Sequence, residues 1–390
     1  MEDEAGEIGG TMELHFPSKI KGTDDDHQAG DLTPVEYDEN AFNRILSLER
    51  KRTERSKRPF MLLLLSLEGL SAAENGNSPR KKVLPCVTSS IRDVDVLGWY
   101  RAESVLGVIF TEIGNCGSVV SCILERVSLS LADSLDPDEV KKIGTSVHFF
   151  PEKHGTFDKP TDLTLYPELR RNRSSRKVAF ILKRMIDIVG SIIALVAICP
   201  AFLIIAALIK LTSAGPVFFC QKRLGQYGKP FTFLKFRSMY ANNDPKIHQE
   251  YVKNLITTSD SASACASAQK DRIFKIQDDP RVTPVGRWLR KTSLDELPQF
   301  INVLRGEMSL VGPRPPIPYE FESYEIWHRR RVVDMKPGIT GIWQVAGRSR
   351  TTFNEMVRLD IYYLANWSIW LDLKLLCLTP WVVFTSKGAF

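Results

Sequence analysis

Hydrophobic and polar positions divide the chain into regions with different expected structures. Residues 1–35 are polar and acidic and show no hydrophobic period, which predicts a disordered tail. Between residues 36 and 152, apolar runs of strand length alternate with amphipathic stretches of helix length, and this predicts a small α+β domain. The predicted elements are helices over 41–58 and 119–131, and strands over 60–66, 105–110 and 146–150.

A long apolar segment follows a linker predicted over 153–177. Residues 188–209 are 22 residues without a charge, and as a straight helix they would span roughly 33 Å, enough for a bilayer core of about 30 Å. Pro200 favours a bend, and Lys and Arg flank both ends, whereas a spanning helix carries its positive excess on one side. We expect a re-entrant hairpin over 178–214 that bends at Cys199 and Pro200. A plain crossing and a buried core helix are the alternatives.

Composition narrows the class of protein. The hydrophobic fraction of 43% and the mean hydropathy of −0.14 exclude a protein made mostly of membrane spans. The formal net charge is +6 although the tail is acidic, and a basic body favours phosphate-bearing partners. The seven cysteines lack a CxxC spacing and indicate reduced thiols, and no histidines fall at metal-ligand spacing. We expect no signal peptide, because the N-terminus is acidic.

A pair of adjacent carboxylates is the first candidate for chemistry. Ser293 followed by Glu296 has the spacing of a capping box, which predicts that a helix begins here. Asp295 would then lie in the first turn, where free N–H groups favour negative charge and can hold a phosphate. Either the carboxylates only cap the helix, or they attack phosphorus and hold Mg²⁺.

Several cations could accompany these carboxylates at a phosphate site. Residues 312–316 form a stiff Pro-rich loop, a rigid mount for an arginine whose planar guanidinium binds two phosphate oxygens. Each cation taken alone could be a solvated surface charge, but the set suits phosphate transfer between a soluble and a lipid-borne partner. The candidates are Lys235, Arg237, Arg290, Arg314 and Arg348.

Nine short motifs follow one another over the C-terminal half of the chain. In order they are KRMID (183–187), GPVFF (215–219), QKRLG (221–225), KFRSM (235–239), RVTPVG (281–286), SLDELPQ (293–299), MSLVGPRP (308–315), KPGITG (336–341) and LDIYY (359–363). Together they resemble the bacterial sugar transferases, the monotopic polyprenyl-phosphate phosphoglycosyl transferases. Many members place Ser before the bending proline, where this chain has Cys199, a weaker hydrogen-bonding group.

This resemblance implies a reaction and a location. Asp295 would attack the β-phosphorus of a UDP-sugar, UMP would leave, and polyprenyl phosphate would accept the sugar phosphate. Mg²⁺ would assist at Asp295 and Glu296, and Arg290, Arg314 and Arg348 would bind phosphate. The protein would lie at the cytoplasmic face of the bacterial inner membrane and start an exopolysaccharide, capsule or O-antigen chain.

The N-terminal domain resembles a GGDEF-type nucleotide cyclase domain that has lost its signature. Ser66 stands where a metal-binding Asp is expected, so we expect a regulatory or dimerising role, with a homodimer possible through this domain. The predicted architecture is α+β: a ferredoxin-like domain over 36–152, a re-entrant membrane helix hairpin, and a mainly helical catalytic domain over 215–390 with interfacial helices. The predicted partners are a UDP-sugar, polyprenyl phosphate and membrane lipid, without nucleic acid.

Two other functions remain open at this stage. A non-catalytic membrane scaffold or nucleotide-sensing regulator would bind a ligand without turnover. A glycosidase would use Asp295 and Glu296 as its acid and base, but neighbouring positions on a helix point ~100° apart, which is poor for flanking one glycosidic bond.

Overall fold

An antiparallel sheet of four strands forms the centre of the N-terminal domain in the computed structural model. The structure describes residues 36–70, 79–113, 117–152, 160–240, 281–346 and 351–384, so the predicted tail and Arg348 lie outside the described residues. The sheet has the strand order β2-β3-β1-β4. In chain order the elements are α1 (Glu39–Ser56), β1 (Phe60–Ser66), α2 (Pro79–Ser90), β2 (Val96–Arg101), β3 (Val105–Phe110), α3 (Gly117–Ser134), α4 (Pro137–Val140) and β4 (Gly144–Phe150).

Alternating side chains of the central strand β1 build two hydrophobic cores, one on each face of the sheet. Met61, Leu63 and Leu65 face α2 and α3, whereas Leu62 and Leu64 face α1. All of β1 except its last residue is buried, since β3 and β4 pair with it on both sides. The strands predicted over 60–66 and 105–110 are found with those bounds. The predicted helices and the last strand are found with slightly different ends, while β2 and α2 had not been predicted.

The segment predicted as a linker is partly helical and packed. It contains a 3₁₀ turn (Leu163–Leu165) and α5 (Pro167–Ser175). Leu165 is buried in the core beneath α1, and the guanidinium of the buried Arg50 donates to the Leu165 carbonyl at 2.9 Å and to the Glu168 carboxylate. The same core includes Val333 from the C-terminal half of the chain. The N-terminal domain therefore docks directly on the C-terminal half of the chain.

The apolar segment forms one helix, α6 (Lys177–Thr212), with Pro200 inside it. Among the described residues it is the one helix whose length and composition would allow a membrane crossing; its apolar 18-residue stretch has a mean hydropathy of 3.1 and is 11% buried. Its first turns are fixed to the protein by Lys183 and Asp187, and its last turns by Ile205 and Ile209. The structure does not divide α6 into the two arms of a hairpin, so the re-entrant path stays a prediction.

The C-terminal domain, predicted over 215–390, combines short helices with two small sheets. Strands β5 (Phe218–Leu224) and β6 (Pro230–Phe236) form an antiparallel hairpin, and β7 (Ser309–Val311) pairs in parallel with β8 (Gly338–Thr340). The helices are α7 (Pro284–Thr292), α8 (Gln299–Arg305), α9 (Pro318–Glu322), α10 (Ile326–Val333), α11 (Ile342–Ala346), α12 (Phe353–Ala365) and α13 (Ile369–Phe384). Mixed helices and sheets agree with the predicted α+β class.

Candidate active site

The two adjacent carboxylates lie on a 3₁₀ turn, Leu294–Glu296, between α7 and α8. Ser293 precedes the turn with φ of 58°, in the left-handed region, and its side chain makes no capping hydrogen bond. The predicted capping box at Ser293 is therefore wrong, because this backbone conformation belongs to the end of α7 and not to the start of a helix. Asp295 is buried, with 7% of its surface exposed. Because Ser293 begins no helix, Glu296 is not the capping partner that the spacing predicted.

Lys235 faces both carboxylates from strand β6. Its Nζ lies 2.8 Å from Oε1 of Glu296 and 3.8 Å from Oδ2 of Asp295. The ammonium group is also 5.5 Å from the centre of the Phe233 ring, two residues earlier on the same face of the strand. The structure thus brings together three residues predicted for the site, and the cation offsets part of the charge of two neighbouring carboxylates.

Asn302 fixes the strand that carries Lys235 to the helix that follows the carboxylates. It is fully buried in α8; its Oδ1 accepts from the backbone N–H of Leu234 at 3.1 Å, and its Nδ2 donates to the carbonyl of Thr232 at 2.7 Å. Nδ2 also bonds to the Glu307 carboxylate at 2.6 Å. The sequence analysis missed Asn302, although a polar residue amid the apolar positions of a helix was a signal that could have found it.

Arg290 reaches back across the start of the site to the loop after β6. Its Nε donates to Oγ of Ser238 at 2.9 Å. The backbone of α7 approaches Ser238 so closely that a Cβ on Gly286 would lie 2.0 Å from the Ser238 carbonyl oxygen, so only glycine fits there. This close approach holds α7, and Arg290 on its last turn, against the KFRSM segment.

Arg237 has a task that the sequence pattern did not predict. Its guanidinium donates to the carbonyl oxygens of Ser213 and Ala214 at 2.7 and 3.0 Å, just after the end of α6. Helices end with carbonyl groups that lack partners within the helix, and a buried cation satisfies them. Arg237 therefore binds the end of α6, two residues beyond Lys235 but away from the carboxylates.

Arg314 is held in the Pro-rich loop after β7. Its guanidinium carbon lies 6.0 Å from the centre of the Trp343 ring. The loop itself is bound by two arginines that the sequence analysis did not select, because Arg331 donates to the Arg314 carbonyl at 3.0 Å and Arg223 donates to the Pro315 carbonyl at 2.8 Å. Arg348, the remaining candidate cation, lies outside the described residues.

Comparison with known protein families gives a match to this half of the chain. The family described as "Bacterial sugar transferase" matches residues 178–386, which is more than half of the chain. The chain belongs to the bacterial sugar transferase family. All the carboxylates and cations of the candidate active site fall inside the matched region.

Several curated relatives align with the same region. The galactosyl transferase CpsE of Streptococcus agalactiae is 44% identical over 54% of this chain and 43% of its own length. The exopolysaccharide production protein ExoY of Sinorhizobium fredii is 40% identical over 55% of this chain and 91% of its own. The undecaprenyl-phosphate galactose phosphotransferase of Salmonella typhimurium is 41% identical over 56% of this chain and 44% of its own length. The chain thus spans less than half the length of two of these relatives.

Comparison with solved structures gives only a weak match. The crystal structure of a DGC protein from Thermotoga maritima covers 31% of this chain and 87% of that chain, with 18% identity and a TM-score of 0.24. A score this low supports no conclusion about this chain.

Mg²⁺ is the cofactor that the sugar transferase resemblance implies, and the carboxylate pair fits it. Among the described residues, no group of three or more His, Cys, Asp or Glu side chains could hold a metal ion. Mg²⁺ in phosphate-binding sites is commonly held by one or two carboxylates and completes its octahedron with substrate phosphates and water. Asp295 and Glu296 suit such a site, in which the substrate supplies the remaining ligands.

Several helices of this half of the chain carry exposed aromatic side chains. Trp288 on α7, seven residues before Asp295, is 50% exposed. Exposed aromatic rings with a polar edge are typical of membrane interfaces. The others are Tyr362 on α12 and Trp370 and Trp381 on α13.

Proposed function

We propose that this sugar transferase moves a sugar-1-phosphate from a UDP-sugar to polyprenyl phosphate and so starts a surface polysaccharide. The observation that carries the proposal is the arrangement of Asp295 and Glu296 beside Lys235, in a chain whose relatives are named as sugar and undecaprenyl-phosphate transferases. A buried carboxylate near a cation can attack phosphorus, and arginines can bind the phosphate oxygens during that attack.

In the first step, an Oδ atom of Asp295 attacks the β-phosphorus of the UDP-sugar. The new bond joins that oxygen to phosphorus, and the bond from the β-phosphorus to the bridging oxygen of the α-phosphate breaks. UMP leaves with the electron pair. The ammonium group of Lys235 offsets part of the repulsion between the charges of Asp295 and Glu296, and Arg290 and Arg314 would offset phosphate charge.

In the second step, a phosphate oxygen of the polyprenyl phosphate attacks the same phosphorus. The bond to Asp295 breaks, which regenerates the carboxylate and gives a polyprenyl-diphospho-sugar. One phosphoanhydride is broken and one is made over the two steps, so the residues need only position groups and neutralise charge. Mg²⁺ bound at Asp295 and Glu296 would supply further charge neutralisation on the diphosphate.

We infer that the protein is attached to one side of the membrane and does not cross it. Thr161 precedes α6 and Tyr227 follows it, yet the backbone N–H of Thr161 donates to the carbonyl of Tyr227 at 2.8 Å. The guanidinium of Arg173, also before α6, lies 5.6 Å from the Tyr227 ring. If α6 crossed a bilayer, a core of about 30 Å would separate these segments. Their contact supports the predicted re-entrant path, and we place the protein at the cytoplasmic face of the inner membrane, as the family resemblance implies.

For the N-terminal domain we propose a regulatory role, with dimerisation as a second possibility. Its chain order, β-α-β-β-α-β, and strand order β2-β3-β1-β4 support the predicted ferredoxin-like arrangement. The domain packs against α10 through Val333, and Lys57 at the end of α1 pairs with Glu325 at 3.1 Å. Through these contacts the domain touches α10 directly, and α10 lies next to the Pro-rich loop.

The experiment that tests the reaction measures UMP release by the detergent-solubilised full chain. The protein receives polyprenyl phosphate, Mg²⁺ and each member of a panel of UDP-sugars. We expect UMP and a lipid-linked sugar with at least one donor, and a labelled phosphosugar-protein adduct when the lipid is omitted. Asp295→Asn should abolish both the adduct and the turnover. Turnover that survives in Asp295→Asn would show that another group attacks phosphorus.

A further inference from the structure

The Pro-rich loop over residues 312–316 is held almost entirely by its carbonyl groups. Three of its five residues are prolines, which have no N–H to donate. The carbonyl oxygens of residues 313 and 316 accept from the backbone N–H groups of Gly338 and Leu224, at 2.9 and 3.0 Å. The two oxygens between them, on Arg314 and Pro315, accept from side chains instead.

Both of those side chains are buried arginines from distant parts of the chain. Arg331 on α10 is 1% exposed, and its Nη2 donates to the Arg314 carbonyl at 3.0 Å. Arg223 on β5 is 5% exposed, and its Nη1 donates to the Pro315 carbonyl at 2.8 Å. Two successive carbonyl groups of one loop are thus each bound by a guanidinium.

Each guanidinium is fixed on a second side, so that neither can swing away from the loop. Nε of Arg223 donates to Oε1 of Gln221 at 3.1 Å, and its guanidinium carbon lies 4.3 Å from the centre of the Phe233 ring. Arg331 lies 3.2 Å from the carboxylate of Asp360, which is also buried. A lysine could keep the charge at either position, but it lacks the planar guanidinium that reaches the loop carbonyl and the second group at once.

The burial of the Arg223 guanidinium costs free energy that packing alone does not explain. Burial first, and then the charge of the neighbouring Arg314, lower the pKa of Arg223 to about 10. The same Phe233 ring contacts both Arg223 and Lys235, so the loop, its arginines and the carboxylate pair lie close together. A buried cation placed beside another cation is unfavourable on its own, and an anionic group bound by Arg314 would offset the repulsion.

We propose that Arg223 and Arg331 are positioning residues for Arg314: they hold its loop by two carbonyl groups and so fix its guanidinium where the diphosphate of the nucleotide-sugar donor binds. This inference rests on the proposed function, since it assigns Arg314 to the donor. Neither arginine touches the substrate, and both act through the backbone to which Arg314 is attached.

The test begins with Arg223→Lys and Arg331→Lys in the full chain, assayed by UMP release against UDP-sugar concentration. We expect kcat/KM for the donor to fall 10- to 100-fold, since a displacement of about 1 Å is enough for such a loss. Arg50→Lys is the matched control: Arg50 is 3% exposed and donates at 2.9 Å to the carbonyl of Leu165, a residue outside the loop. The control should lose thermal stability without a change in the KM for the donor.

A double-mutant cycle separates positioning from a general effect on folding. In an Arg314→Met background the guanidinium that Arg223 positions is gone, so adding Arg223→Lys should lower kcat/KM less than threefold further. The melting temperature should fall by the same amount in both backgrounds. If the activity losses of Arg223→Lys and Arg314→Met multiply in full, Arg223 does not act through Arg314 and the proposal is overturned.

Hydrogen–deuterium exchange of the peptide that contains residues 312–316 provides a readout independent of turnover. The amides of Gly312 and Arg314 should exchange faster in Arg223→Lys and Arg331→Lys than in the wild type, and unchanged in Arg50→Lys. Faster exchange without UMP release by the wild type would contradict the proposed function but keep the loop anchoring. UMP release with unchanged exchange and unchanged kinetics in both loop variants would contradict the positioning and keep the function.

Discussion

Replacing Asn302 by Ala should destabilise the catalytic domain and disturb the site at the same time. The side chain is fully buried and makes three hydrogen bonds, to the Leu234 N–H, the Thr232 carbonyl and the Glu307 carboxylate. Truncation leaves a donor and an acceptor of β6, both partly buried, without their partner, and each unsatisfied group costs at most ~1–3 kcal/mol. We expect a loss of roughly 3–5 kcal/mol, which for a domain of this size lowers the melting temperature by about 10 °C.

The same substitution should slow turnover, because Asn302 bonds both residues 232 and 234 of the strand that carries Lys235. We expect kcat for UMP release to fall by about tenfold, measured below the lowered melting temperature, since Lys235 would no longer be held in one position relative to the carboxylates. A thermal melt in detergent and the UMP assay on the same preparation give both quantities. An Asn302→Ala protein with an unchanged kcat would refute the idea that this side chain sets the site.

A charge-based variant provides the control. In Asn302→Asp the acceptor for the Leu234 N–H is kept, but a carboxylate now faces the Glu307 carboxylate and the Thr232 carbonyl. Repulsion should make this variant at least as unstable as Asn302→Ala near neutral pH. Adding Glu307→Gln removes one of the two repulsions and supplies an amide donor, so the double variant should recover part of the melting temperature. Complete absence of recovery would show that the Glu307 contact contributes nothing.

Three further predictions concern stability and membrane contact. Burial, opposed by Arg330, raises the pKa of Asp334 to about 6, so the folded chain holds a proton there more tightly than the unfolded chain. The stability that this carboxyl group contributes is therefore present below about pH 4 and is lost as the pH rises through 6, by roughly 3 kcal/mol. Asp334→Asn should raise the melting temperature at pH 7.5 and flatten its pH dependence. An equal pH dependence in both proteins would contradict this. Lys183→Met leaves the buried Asp372 carboxylate without the ammonium that lies 2.6 Å away, so it should cost about 3–5 kcal/mol; Lys183→Met with Asp372→Asn should recover part of the melting temperature, and no recovery would argue against the pair. Trp288→Ser should weaken binding to anionic vesicles in a flotation assay while the melting temperature stays the same, whereas unchanged flotation would remove α7 from the membrane-facing surface.

The short motifs of the sequence predicted which side chains lie together more reliably than they predicted the local backbone. Asp295, Glu296 and Lys235 were predicted as site residues from residue type and resemblance, and they lie together in the structure. The capping box at Ser293 failed because sequence spacing does not report φ, and a left-handed residue there ends one helix before the 3₁₀ turn begins. Spacing reports which side chains share a face but not where the backbone turns.

The distribution of arginines shows why contacts distant in sequence could not be predicted. A hydrophobic period predicts which positions are buried, but it contains no information about which carbonyl group a buried cation will meet. Arg223 bonds to a residue 92 positions away and Arg331 to one 17 positions away. By residue type alone, Arg223 was no better a candidate than Arg237, yet the fold uses one for the Pro-rich loop and the other for the end of α6.

What unites these arginines is the kind of acceptor that they bind. Arg237 binds carbonyl groups just after the end of α6, where no further helical N–H follows, and Arg223 binds a loop in which three of five residues have no N–H. Both places leave carbonyl oxygens that the backbone cannot satisfy, and buried carbonyl groups require partners. A Pro-rich loop therefore carries its own prediction: if it is buried, side-chain donors must bind its carbonyl groups. The sequence does not name those donors, but the rule indicates that each buried arginine without an obvious carboxylate partner should first be tested against helix ends and proline-rich loops.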